Sequence, residues 1–293
     1  MIHPQQMTRF GSPGDPALPT VVFVHANGYP PGAYRSLLSA LGGVGDIWTV
    51  AHRPLWSDEA PPTRLSWHRY AHDLQVAIAG QFTAPVWLMG HSMGAVSSLI
   101  AAADSPQRYA GVIAIDPVLL LDRLWWPAQV LGRLNPDGLP IVKRALSRPH
   151  HFQGREAAFA FYRSKRVFQR VADTALRDYV EAGHEPAPGG GVQLRWSGAW
   201  EACVYRSAPR MWGALKRVRV PTLGLIGDRS DVLDSRSVAR WQRSQPHADL
   251  LTLKGGHLLP LEAPERCAEH ASRFIRQNTP CAQEKTVWEN AAS

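Results

Sequence analysis

Four apolar residues, Val86–Met89, run without a spacer into Gly90-His91-Ser92-Met93-Gly94 and then into the apolar segment Met93–Ala103. The period changes from a buried strand to a helix within one or two residues, which leaves room only for a sharp turn. Such a turn forces Ser92 into a strained backbone, and glycine on both sides lets neighbouring chain segments pass. The helix that follows points its free amides and positive dipole end at whatever charge develops beside Ser92. The junction therefore predicts a parallel, largely buried strand and a serine presented at its tip.

The rest of the chain repeats the strand–helix theme. Thr20–His25 (TVVFVH) reads as a buried parallel strand and Ile47–Ala51 as a weaker one, with a short helix at Ala33–Leu41 between them. Ser66–Gly80 carries Trp67, Tyr70, Ala71, Leu74, Ala77 and Ile78 on one helical face, and Pro85 ends that segment. Ala110–Ile115 is the next strand. After Asp116-Pro117 the alternation lapses, and Val118–Leu215 reads as helical with breaks at Gly138–Pro140, Pro149–Gly154 and Pro186–Gly191. It resumes with a strand at Thr222–Gly227, a helix at Ser235–Ser244, a strand at Asp249–Lys254 and a helix at Pro264–Gln277. The expected fold class is α/β: a mostly parallel central sheet flanked by helices, with an inserted helical cap. The corresponding units are a core of 1–117 and 216–278, a cap of 118–215 and a loose tail of 279–293.

Composition removes other classes. The 293 residues are 45% hydrophobic, enough for one large core with an inserted lobe. The net charge of +8 comes mainly from scattered arginines without a basic arm or nucleic-acid module, so no nucleic-acid partner is expected. Cys203, Cys267 and Cys281 are widely spaced and form no disulfide framework or metal set. No run approaches a membrane span and the first ten residues lack a signal-peptide core, so a cytoplasmic protein without a membrane partner is expected. No metal, nucleotide or flavin site is apparent, and no cofactor is expected. His68 and His72 share a helix face without a third ligand.

A serine hydroxyl needs a base to take its proton, and His257, in the flexible loop Lys254-Gly255-Gly256-His257, is the best placed of twelve histidines. The base needs an acid. The strand Thr222–Gly227 ends in Asp228-Arg229-Ser230-Asp231, and Asp231 is preferred because it lies a few loop residues past the strand. Asp228 is the competing carboxylate, expected to cap the turn or pair with an arginine. Asp116 is a third candidate, although Pro117 and the start of the insertion favour a hinge there. An oxyanion site needs two amides, for which Met93 and Asn27, in the loop Val24-His25-Ala26-Asn27-Gly28, are the candidates, with His25 bracing the loop.

These motifs together resemble the α/β-hydrolase superfamily over nearly all of residues 15–277. GHSMG matches a common nucleophile elbow. Residues 25–28 sit where many members carry a His-Gly oxyanion loop, with Ala26 here in place of the glycine. Residues 227–233 resemble the acid loop and residues 255–265 the histidine loop. The resemblance implies a Ser92–His257–Asp231 triad, an acyl-enzyme and a helical cap over the site. The expected partner is a small-molecule acyl substrate, with a carboxylic ester as first choice. Lactone, thioester, C–C bond hydrolysis or perhydrolysis on the same triad is the alternative, and a non-catalytic binding protein is a further one. Haloalkane and epoxide chemistry is disfavoured, because those relatives carry Asp at the position of Ser92. Tyr29, Trp125, Trp126, Phe159, Tyr162 and Trp200 are the candidate substrate-binding side chains.

Overall fold

The computed structural model describes residues 6–12 and 18–279. The strands are β1 (Met7–Arg9), β2 (Thr20–Val24), β3 (Asp46–Val50), β4 (Val86–His91) and β5 (Tyr109–Ile115). They continue as β6 (His151–Phe152), β7 (His184–Pro186), β8 (Val192–Leu194), β9 (Thr222–Gly227) and β10 (Asp249–Leu253). Seven of them form one sheet in the order β1-β3-β2-β4-β5-β9-β10. Only β1, against β3, is antiparallel.

Strand alternation builds two cores from one sheet. Val22 and Val24 of β2, with Val112 and Ala114 of β5, face the helices Trp67–Gln81 and Met93–Asp104. Val21, Phe23, Ile113 and Ile115 face the helices Arg35–Ala40 and Pro264–Asn278. With side chains alternating at period two, a strand buried on both faces must be apolar throughout, as TVVFV is. The Trp67–Gln81 helix buries the six apolar residues of its predicted face, and its N-cap Ser66 accepts from the His68 amide. Such a cap contributes about 1 kcal/mol.

The parallel sheet flanked by helices is the α/β architecture expected. Two details differ from the sequence pattern. β1 has three residues, too few to show a period. The segment between β5 and β9 holds helices at Asp122–Leu134, Pro140–Leu146, Arg155–Arg163, Asp173–Gly183 and Gly198–Tyr205, but it is not wholly helical. A small antiparallel sheet, β6-β8-β7, joins them. Residues 187–191, from the Pro186–Gly191 stretch read as a loop, turn the chain from β7 to β8, with Gly190 and Gly191 at φ +91° and +72°. Strands of two and three residues leave no alternation to read. The expected tail, apart from Thr279, lies outside the described residues.

Candidate active site

β4 and β5 pair in parallel with Gly90 opposite Ala114 and His91 opposite Ile115. The next residue on each strand, Ser92 and Asp116, therefore emerges side by side at the sheet's carboxyl edge. The Ser92 amide donates to the Ile115 carbonyl at 3.0 Å, and the Asp116 amide to Leu225 at 2.8 Å. Both residues have positive φ, +54° and +42°, rare for side chains other than glycine. Two adjacent strands thus end in strained turns that lift a hydroxyl and a carboxylate off the sheet.

The elbow works sterically because of two glycines. A Cβ on Gly94 would lie 2.1 Å from the Val24 carbonyl oxygen, and one on Gly90 would lie 2.5 Å from the Gly94 carbonyl carbon. The Met93–Asp104 helix consequently starts in direct contact with the end of β2. This places the first-turn amide of Met93 beside the loop that carries Asn27. A helix supplies no acceptor for its first amides, and the Asn27 amide donates to no backbone acceptor among the described residues.

His257 joins the other two groups. Its Nε2 is 3.0 Å from Ser92 Oγ, and its Nδ1 is 2.7 Å from Asp116 Oδ2. Asp116 is fully buried, yet it is richly bonded: the Gly227 amide donates to Oδ1 at 3.1 Å and Ser230 Oγ to Oδ2 at 2.6 Å. These donors hold the carboxylate in place against Nδ1 of the ring, which orients Nε2 toward the serine hydroxyl.

The carboxylate on His257 is therefore Asp116 and not Asp231. Asp231 is exposed to solvent. The loop after β9 contributes to the cluster through Ser230, whose hydroxyl also accepts from the Val232 and Leu233 amides. Asp228 accepts from the Gly255 amide at 2.9 Å and sits 3.6 Å from Arg229. The sequence carried a usable signal for Asp116: it ends the strand that follows the elbow, but its value appears only once those two strands are paired in register.

A second line of contacts holds the loops together. Ala26 N–H donates to Tyr34 Oη at 3.2 Å, Tyr34 Oη lies 2.8 Å from His91 Nδ1, and His91 Nε2 lies 2.8 Å from the His257 carbonyl. A carbonyl only accepts, so His91 carries its proton on Nε2, and the Tyr34 hydroxyl donates to Nδ1. Burial holds His91 well below the usual histidine range, with His257 nearby acting in the same direction. One neutral imidazole thereby ties the loop that carries Ala26 and Asn27, the turn at Ser92 and the loop of His257. His25 braces the Asn27 loop by accepting from the His52 amide at 3.0 Å, while its own Nδ1 lies 2.8 Å from the Ala26 carbonyl.

The expected substrate-binding side chains divide into two groups. Tyr29 packs at a tilt against Tyr179 at 4.9 Å, and Tyr179 packs against Tyr162 at 5.1 Å. Both Tyr162 and Tyr179 accept from Arg148, which pairs with Glu201 at 2.7 Å. That polar cluster abuts the Asn27 loop, since Glu201 O accepts from Asn27 Nδ2 at 3.2 Å. Burial raises the phenols of Tyr29 and Tyr179 well above their usual range. Trp126, in contrast, is 54% exposed, and Trp125 packs edge-on against it while donating to the Ala208 carbonyl at 2.8 Å. Trp126 thus faces solvent. Phe159 lies under the Arg177 guanidinium, and Trp200 is buried in the apolar cluster that holds Trp67.

Strained serine, imidazole and buried acid on an α/β sheet define a protein class, and residues 21–270 match the Alpha/beta hydrolase family. The chain belongs to that family and is an enzyme of α/β-hydrolase type. It is 24% identical over 260 residues to the 2-(acetamidomethylene)succinate hydrolase of Mesorhizobium japonicum, covering 88% of each chain. Among solved structures, it resembles an E-2-(acetamidomethylene)succinate hydrolase with a TM-score of 0.77 at 22% identity, over 92% of this chain and 94% of that one. It also resembles a thioesterase domain from the curacin biosynthetic pathway with a TM-score of 0.72 at 19% identity, over 92% and 94%.

Proposed function

We propose that this chain is a serine hydrolase that cleaves carboxylic esters or related acyl compounds through an acyl-enzyme on Ser92. The observation that carries the reading is the single imidazole of His257 bridging Ser92 Oγ at 3.0 Å and Asp116 Oδ2 at 2.7 Å. His257 Nε2 takes the serine proton as Oγ bonds to the substrate carbonyl carbon, and Asp116 stabilises the imidazolium. The amides of Met93 and Asn27 receive the oxyanion. On collapse, the bond to the leaving group breaks and His257 returns the proton to it. Water, deprotonated by the same imidazole, then attacks the acyl carbon and releases the acid.

Lactones and thioesters present the same carbonyl to the same groups, and the relatives named above support the wider acyl class. The test is a panel of p-nitrophenyl esters of varied acyl length, with lactones and thioesters, run on the native protein and on Ser92→Ala. The substitution is expected to lower turnover by about 10⁶ and to abolish fluorophosphonate labelling. Near-normal turnover by Ser92→Ala would refute the assignment.

A further inference from the structure

The helix Asp122–Leu134 is inverted relative to an ordinary surface helix. Its inward side is weakly apolar: Gly132 is its one buried residue, and Trp125 and Gln129 attach it through polar bonds to Ala208 and Arg64. Its outward side carries Leu124, Trp126, Val130, Leu131 and Leu134, which are 42–81% exposed. At 100° per residue these five fall within one arc of about 160°. Ile141 and Leu146 on the following helix Pro140–Leu146 are also exposed, so seven of the nine exposed large apolar side chains among the described residues lie on two consecutive helices. Monomeric soluble surfaces rarely gather apolar groups in this way without an occupant.

The charges around this face indicate which occupant. Its acids are already neutralised: Asp122 is paired with Arg210 and Arg240, and Asp137 with Arg206. Arg133, Lys143 and Arg144 are exposed and make no ion pair among the described residues. An apolar face with an outward tryptophan and free cations matches an anionic lipid surface, where the helix lies in the interface. A second copy of the chain fits less well, because a twofold contact sets the same unpaired cations against each other. No helix among the described residues is long and apolar enough to cross a membrane, so the contact is peripheral.

The geometry points to the Asp122–Leu146 segment as a docking surface for anionic membranes. This does not depend on the hydrolase reading, and its test reads binding and not turnover. The full chain is sedimented with mixed phosphatidylcholine–phosphatidylserine vesicles and with pure phosphatidylcholine vesicles, at low and high salt. Retention on the anionic vesicles, weakened by salt, is expected. Val130→Ser with Leu134→Ser should lower the partition coefficient about tenfold or more. Lys143→Gln and Arg144→Gln should each lower it about fivefold on anionic vesicles, with little change on neutral ones. Circular dichroism and melting of each variant establish that the fold is intact. Recovery of the native chain in the supernatant with both vesicle types overturns the proposal, as does retention indifferent to Val130 and Leu134. A dimer in analytical ultracentrifugation that Leu134→Ser dissociates would assign the face to a second copy instead.

Discussion

Replacing Asp116 with Asn exchanges one carboxylate oxygen for an amino group, and the surrounding bonds decide where that group goes. Oδ1 accepts from the Gly227 amide, which holds the amide oxygen of the new side chain in that place. The NH2 then occupies the position of Oδ2, 2.7 Å from His257 Nδ1. Two donors cannot face each other, so the ring shifts its proton to Nε2 and presents N–H, not a lone pair, to Ser92. Flipping the amide to avoid this leaves the buried Gly227 N–H without a partner, at a cost of about 1–3 kcal/mol. The loss of charge adds to the wrong tautomer, and the same change in Ser-His-Asp triads lowers kcat about 10⁴-fold, or about 5.4 kcal/mol of barrier. The assay is kcat on the best p-nitrophenyl ester together with the second-order rate of fluorophosphonate labelling, which needs no knowledge of the natural substrate. Asp231→Asn, at an exposed position, is the paired control, expected within about twofold of native. If Asp231→Asn proves the more damaging, or Asp116→Asn keeps more than a tenth of native activity, the reasoning fails.

Three further outcomes are expected. Gly94→Ala forces a methyl to 2.1 Å from the Val24 carbonyl and should cost more than about 4 kcal/mol in urea unfolding; Gly183→Ala, with open space around it, should change stability by less than about 1 kcal/mol. Tyr34→Phe leaves the Ala26 N–H and His91 Nδ1 unpaired in the interior, and a loss of about 2 kcal/mol in chemical denaturation is expected. Burial pushes His52 and His184 down to about 4 and also lowers His25 and His91. Because their folded pKa values are depressed, the unfolded chain takes up protons first. Stability present above pH ~6.5 is then lost on acidification toward pH ~4, at roughly 1 kcal/mol per pH unit for each histidine. A flat unfolding free energy across that window would contradict the burial of these rings as neutral species.

Ser92 and His257 are legible in the sequence because each sits in a local pattern. Ser92 lies at a strand-to-helix switch, and His257 in a glycine loop before the last helix. For the acid, sequence and structure differ for a physical reason. Asp231 has the right chain order and a loop to turn in, whereas the claim of Asp116 rests on register between β4 and β5, a non-local quantity. Pro117 after it suggests a hinge and masks the carboxylate. The small sheet between β5 and β9 is invisible in the sequence, because strands of two or three residues show no alternation. Aromatic character makes Trp126 a candidate pocket residue but says nothing about which side of a helix meets solvent, and the side chain is exposed.

Asp116 is also the last residue of β5's path before the chain departs on its long excursion away from the sheet. Any rocking of that excursion begins with torque at positions 116 and 117. The carboxylate is moored on its far side by Gly227 and Ser230, both rooted at the end of β9, so the torque is grounded in a neighbouring strand before it reaches the imidazole. Wired this way, a displacement of residues 118–215 meets the end of β9 before it can draw Asp116 away from His257.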